Sequence, residues 1–112
     1  MSLSLLLYLE DILNAIGKIE RYSQNLTHEK FIADDRTFDA VSHNLQIIGE
    51  AIKNIPQPIR EKYPQIEWRK IAGLRDLIAH AYFAIDDEII WDIIQNKLNE
   101  LHECVTNIKD GL

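Results

Sequence analysis

Hydrophobic positions recur along this chain at intervals of three and four residues, the period of α-helices that bury one face. Leu9, Ile12, Leu13, Ile16 and Ile19 form the first such row and predict a helix from about Leu3 to Asn25. Leu26 to Asp35 reads as a connector, in which Thr27 can cap a short turn. Phe38, Val41, Leu45, Ile48, Ile52 and Ile55 form a second row with strict alternation of three and four, the seam of helices packed near-antiparallel. It predicts a helix from about Arg36 to Ile55, capped by Asp34 or Asp35 and ended by Pro56 and Pro58. Residues 56–66 form a loop or short helix around Ile59 and Tyr63. A third long helix, about Glu67 to Tyr82, places Trp68, Ile71, Leu74 or Arg75, and Ile78 on its inward side. A fourth, capped by Asp86 or Asp87, carries Ile90, Ile93 or Ile94, Lys97 or Leu98, Leu101 and Val105. It runs to about Lys109, and Gly111 suits its stop. The expected architecture is all-α: a small bundle of four long helices plus one short helix, in one domain spanning residues 1–112.

Composition agrees with that pattern. Ile and Leu supply 31 of the 112 residues and Val only 2, while all three prolines fall between positions 56 and 64. The turn residues that an all-β domain scatters between its strands are missing. No apolar run reaches the roughly 18 residues of a membrane span, and the start of the chain lacks the basic region of a secretory signal. Cys104 is the only cysteine, so no intramolecular disulfide can form. A cytoplasmic protein without a membrane association is the expectation.

The net charge of -6 argues against a basic surface spread over the whole molecule. The charge is uneven, however. Residues 56–85 carry five basic and three acidic groups, whereas residues 86–112 carry two and seven. The positive segment is the one that contains the third long helix.

That helix also holds the candidate chemistry. Arg75, Asp76, His80 and Tyr82 lie within eight residues of a mostly apolar stretch. At roughly 100° per residue, Asp76 and His80 fall one turn apart on one face, where a carboxylate can fix the imidazole tautomer. Arg75 and Tyr82 share a second face. Arg75 and His80 are about 140° apart, an angle more easily closed in a site to which another helix or subunit contributes. An imidazole that moves protons near neutral pH and a guanidinium that grips phosphate suit phosphoryl chemistry. The same residues could equally form an ordinary ion pair and a polar helix end. On the preceding long helix, Gly49 weakens the helix and suggests the close approach of another backbone or a ligand. A polar stripe of Arg36, Asp39, His43, Gln46, Glu50 and Lys53 runs opposite its apolar seam. Glu50 is placed to order Arg75 through an ion pair. His43 reads as surface or dimer rim on this stripe, with a second catalytic base as the alternative, and His28 and His102 read as surface. Trp68 and Trp91 read as core or interface. No His, Cys or Asp spacing suits a metal, and no cofactor is implied.

Three segments together resemble the HepT-like toxins, a branch of the HEPN helical-bundle superfamily. Arg75-Asp-Leu-Ile-Ala-His80-Ala-Tyr82 is similar to that family's Arg-x4-His-x-Tyr motif. Asn44-Leu-Gln-Ile-Ile-Gly49-Glu50-Ala51 resembles its Asn-Leu-x-Ile-Ile-Gly-Glu-Ala segment, and Pro64-Gln-Ile-Glu-Trp68-Arg-Lys-Ile71-Ala-Gly73 its approach to the catalytic helix. Phe31-x-x-Asp34 and Trp91 also fit, so the likeness runs from about Tyr8 to Ile108. The leucine-rich start, Leu3 to Leu9, is more apolar than the family usually shows.

The resemblance implies a HEPN-like fold and a toxin that is a metal-independent RNA endonuclease. Its site would form at a homodimer interface, with Arg75 and His80 as the catalytic pair and Asp76, Glu50 and Asn44 in support. The expected reaction is attack of a ribose 2′-hydroxyl on the adjacent phosphate, giving 2′,3′-cyclic phosphate ends. The resemblance also implies a partner antitoxin, a minimal MntA-like nucleotidyltransferase that transfers AMP to the hydroxyl of Tyr82. The alternatives are a non-catalytic helical module that binds nucleotide or RNA, or a structural partner subunit of a nucleotidyltransferase.

Overall fold

The structure, a computed structural model, describes residues 3–80 and 87–112, without the side chains of Leu77, Ala79 and His80. Its described residues are helical throughout, with short connections and no strand. α1 (Leu3–Ser23) buries Leu5, Leu9, Ile12, Ile16 and Ile19 along one stripe. It stops short of Asn25 because that residue takes a positive φ of 63°, which asparagine tolerates better than most side chains. α2 (His28–Ala33) is a full helix of six residues where a single turn was the expectation. Thr27 caps it, its hydroxyl accepting from the amide of Lys30. Phe31 is its one buried residue and plugs it into the core.

α3 (Asp35–Lys53) is the central element. Of the two candidate caps, Asp34 does the work: its carboxylate accepts from the amide of Thr37 at 3.1 Å and from the Thr37 hydroxyl at 2.7 Å. Both bonds favour the charged form, so Asp34 titrates below the ordinary carboxylate value. α3 ends at Lys53 rather than Ile55, since Pro56 disfavours the helical conformation in the residue before it. Ile55 is nevertheless 1% exposed and completes the seam. α4 (Gln57–Arg60) is a single turn, closed by the buried Trp68, whose indole N–H donates to the carbonyls of Arg60 and Tyr63. Trp68 also opens α5 (Trp68–His80), with Ile71, Leu74 and Ile78 buried. The choice between Leu74 and Arg75 resolves to Leu74 inside and Arg75 outside.

The last helix is two helices, α6 (Asp87–Asn96) and α7 (Leu98–Asp110), divided at Lys97. The reason lies in the phase of the apolar row. Ile90 and Ile93 are buried, and the next position in that series is Lys97. The row after the break is Leu98, Leu101, Val105 and Ile108, one residue out of step. A break at Lys97 turns both rows to the same core and frees the ammonium to meet Glu67 at 2.9 Å. Trp91 packs at the edge of the core against Phe31, at 5.3 Å between rings. His28 does not stand free on the surface: it stacks on Trp91 and its Nε2 lies 3.1 Å from the Asp87 carboxylate. Asp86, the other candidate cap of α6, lies outside the described residues.

α3 packs between α1 and α5, and α7 packs on another face of α1. The polar stripe of α3 reaches the edge of its contact with α5, where Glu50 meets Arg75 and Lys53 meets Asp76.

Candidate active site

α3 and α5 approach closely at Gly49. A Cβ placed there would lie 3.1 Å from Arg75 Cβ, 3.2 Å from the Ala72 carbonyl oxygen and 3.2 Å from the Arg75 amide nitrogen. The missing side chain is therefore what lets the Arg75 turn of α5 settle on α3. The expectation of a close approach at Gly49 is met by this backbone.

Arg75 leaves the core at this point and turns along the α3 surface. Its Nε is 2.8 Å from Glu50 Oε2, the ion pair anticipated from sequence. Its Nη1 is 3.4 Å from Asp76 Oδ1, a long contact. The other Asp76 oxygen lies 3.4 Å from Lys53 Nζ, one helical turn beyond Glu50. Two acidic and two basic groups thus alternate across the helix pair. All four side chains are well exposed, so each pair contributes at most about 1 kcal/mol to stability. What the Glu50 pair does provide is a fixed direction for the guanidinium. With Nε held by Glu50, the Nη edge is engaged, among the described residues, through the long contact of Nη1 with Asp76.

A cleft of about 210 Å³ lies against Arg75, lined by His43, Gln46, Ile47 and Glu50. His43, for which the sequence offers surface or a second catalytic base, and Gln46 both border this cleft. Lys53 as the partner of Asp76 was not foreseen. The available signal was the spacing of Glu50 and Lys53 on the polar stripe, complementary in sign to Arg75 and Asp76. Asn44 is placed differently. It is 4% exposed and its side-chain amide donates to the Ala40 carbonyl on its own helix, so it bonds within α3 rather than to Arg75.

His80 is the last residue of α5, and its helical register puts it one turn from Asp76. Its side chain, and all of Tyr82, lie outside the described residues. Among the described residues no cluster of three or more His, Cys, Asp or Glu side chains could hold a metal ion. No described helix is long and apolar enough to cross a membrane.

Comparison with known proteins supplies the family. The ribonuclease HepT-like family matches residues 12–108. This chain belongs to the HepT-like family. A Methanocaldococcus jannaschii protein with the provisional name RNase is 43% identical over 92% of this chain and 86% of its own length. A Thermococcus cleftensis protein with the provisional name ribonuclease HepT is 42% identical over 84% of this chain and 86% of its own. Among solved structures, the tri-AMPylated HEPN toxin of Shewanella oneidensis in complex with its MNT antitoxin superposes with a TM-score of 0.72. That match covers 98% of this chain and 99% of the toxin at 20% identity, and it shows that the HepT-like chain has the all-α HEPN fold.

Proposed function

We propose that this HepT-like chain is the toxin of a toxin–antitoxin pair and cleaves RNA at a site built from Arg75 and His80. The observation that carries the proposal is the exposed Arg75 guanidinium beside a cleft, held firmly by Glu50 through Nε, with an Nη edge engaged by the long 3.4 Å contact to Asp76. That edge can grip a phosphate with two parallel hydrogen bonds and stabilise the charge that develops on it. The family name and its relatives' ribonuclease names support the choice of RNA.

In this reading a ribose 2′-hydroxyl loses its proton to an imidazole and attacks the adjacent phosphorus. The 5′-oxygen of the next nucleotide leaves and takes up a proton. The products are a 2′,3′-cyclic phosphate and a free 5′-hydroxyl. The nucleophile belongs to the substrate, so the protein's task is proton transfer and charge stabilisation. One imidazole cannot stand on both sides of the phosphorus, which is the chemical reason to place the site at a homodimer interface where two copies of His80 and Arg75 meet. Asp76 orients His80, and Glu50 orients Arg75. Regulation follows from Tyr82, seven residues from Arg75 and on the same face of a helix in sequence terms. A nucleotidyltransferase antitoxin would transfer AMP from ATP to its hydroxyl with release of pyrophosphate. The added phosphate would occupy the guanidinium meant for RNA. The AMP-bearing solved relative, bound to its MNT antitoxin, supports this reading.

The test is incubation of the purified protein with total RNA, followed by end analysis of the fragments. Cyclic-phosphate ends are expected, with loss of cleavage in His80→Ala and an unchanged helical circular-dichroism spectrum. Cleavage that persists in His80→Ala removes that residue from the mechanism. Mass spectrometry after treatment with the cognate nucleotidyltransferase and ATP should find AMP on Tyr82 and none on Tyr82→Phe.

A further inference from the structure

A second opening, of about 570 Å³, lies at the other end of α5, between that helix and α4. Three cations line it, Arg60, Arg69 and Lys70, together with the carboxylates Glu61 and Glu67. The carboxylates are already engaged. Glu67 is held by Lys97 at 2.9 Å and by Lys70 at 3.8 Å, and Glu61 accepts from the Gln57 amide at 3.0 Å. Neither Arg60 nor Arg69 has a carboxylate within ion-pair distance among the described residues. Arg60 Nε is in addition buried with no hydrogen-bond acceptor, an uncommon state for a buried donor. A ligand that brings an anionic oxygen would give Arg69 a counter-charge and lie beside the Arg60 guanidinium.

One exposed stripe of α5 runs from this opening to the turn of Asp76, the neighbour of Arg75. Arg69, Gly73 and Asp76 recur at four and three residues and so share one stripe, and all three are exposed. A Cβ at Gly73 would meet nothing within 4 Å, so the middle of the stripe is bare. At 1.5 Å of rise per residue, Arg69 stands about 9 Å along the axis from Arg75. That span suits a few nucleotides of an extended single strand.

We infer that the α4–α5 groove is a second phosphate subsite, gripping the backbone of single-stranded RNA a few nucleotides from the scissile bond. The inference rests on the ribonuclease reading above for the identity of its ligand. Arg60 and Arg69 hold the backbone, Lys70 adds charge, and the strand crosses the bare turn at Gly73 towards the Asp76 turn, where the Arg75 guanidinium reaches round to meet it. The subsite reads charge and spacing, so it raises affinity for longer strands without selecting sequence.

The probe is a fluorescein-labelled single-stranded RNA of about ten nucleotides, titrated by anisotropy against His80→Ala protein over a series of salt concentrations. Adding Arg69→Gln and Lys70→Gln should weaken binding roughly tenfold and reduce the slope of log affinity against log salt by about 1.4, at 0.7 per lost phosphate contact. Gly73→Leu, exposed on a helix and so compatible with the fold, should weaken binding several-fold by blocking the track. In cleavage assays on an active background, the double Gln variant should lower the preference for the long RNA over a dinucleotide. Unchanged affinity and slope in the double variant overturn the subsite. So does a loss of antitoxin binding with RNA binding intact, which would assign the groove to the partner. The two readings fail separately. Wild-type cleavage with no effect of the groove variants removes only the subsite. Absent cleavage with weakened variant binding removes the ribonuclease activity and leaves the groove an RNA contact.

Discussion

Replacing Gly49 by alanine should destabilise the protein, although the same change in most helices does the reverse. Alanine is better than glycine by about 1 kcal/mol in a helix interior. At Gly49 the added methyl meets three atoms at 3.1 to 3.2 Å, and two of these are backbone atoms of α5. A flexible side chain could swing aside, but a helix backbone can move only as a unit. Overpacking of this kind costs roughly 1–3 kcal/mol, which exceeds the propensity gain at all but the low end. The net expectation is a loss of about 0.5–2 kcal/mol, or a fall in Tm of several degrees for a domain of this size. Gly17 supplies the control, because a Cβ there meets nothing within 4 Å. Gly17→Ala should raise stability by up to about 1 kcal/mol, since only the propensity acts. Urea unfolding followed by circular dichroism, with both variants at one protein concentration, measures the two. Gly49→Ala should also reduce RNA cleavage more than its stability loss explains, as α5 carries Arg75 away from Glu50. Equal stabilisation by both substitutions would refute the close-approach argument.

Other predictions concern single side chains. Glu50→Gln should lower kcat/KM for RNA cleavage about 3- to 10-fold, and Arg75→Ala about 100- to 1000-fold, because the first loosens a donor and the second removes it. The check is a fluorogenic RNA assay, and an unaffected Arg75→Ala enzyme would sink the assigned role. The charged form of Asp34 is favoured in the folded protein, so its share of stability is complete above the unfolded value of 3.8 and fades as pH falls through the lower native value. Asp34→Asn keeps an acceptor for Thr37 but should abolish this acid-side dependence, as thermal melts between neutral and acid pH will show. Burial pushes the Cys104 thiol up to about 11, so a thiol reagent at mild pH should label it only as the protein unfolds. Rapid labelling of the native protein would contradict that burial.

Much of the fold was legible because three of the long helices bury strict rows at three- and four-residue spacing. Val41, Leu45, Ile48 and Ile52 in α3 are all essentially inaccessible, as the spacing requires. The misplaced boundaries have local causes that a period count does not register. Asn25 leaves α1 through a positive φ, and Pro56 acts one residue upstream on Ile55. The break at Lys97 was present in the sequence as the choice between Lys97 and Leu98, but only packing decides that the row shifts there. The Glu50–Arg75 pair and the contact at Gly49 were legible because both sit on recognisable segments. The contact of Lys53 with Asp76 was not, and the sequence left His43 open between surface and site, since the register between α3 and α5 depends on how deeply the two helices interlock at Gly49.

An acidic chain can still receive RNA if its negative groups are far from the phosphate or already occupied. The screening length near physiological salt is about 8 Å, so distant carboxylates on α1 and α7 act weakly at the site. The near ones are Glu50 and Asp76, and their contacts with Arg75 are unequal. Glu50 holds Nε at 2.8 Å, whereas Asp76 reaches Nη1 only at 3.4 Å and is also drawn to Lys53. An arriving phosphate would therefore replace the long Asp76 contact and leave the short Glu50 one intact. Asp76 would then be released towards Lys53 and towards the turn that bears His80. On the proposed function, the alternating chain of charges would keep Arg75 neutralised and ordered before substrate arrives and would give way at its weakest link. In this arrangement the carboxylates beside the guanidinium are part of how the site selects a phosphate dense enough in charge to displace one of them.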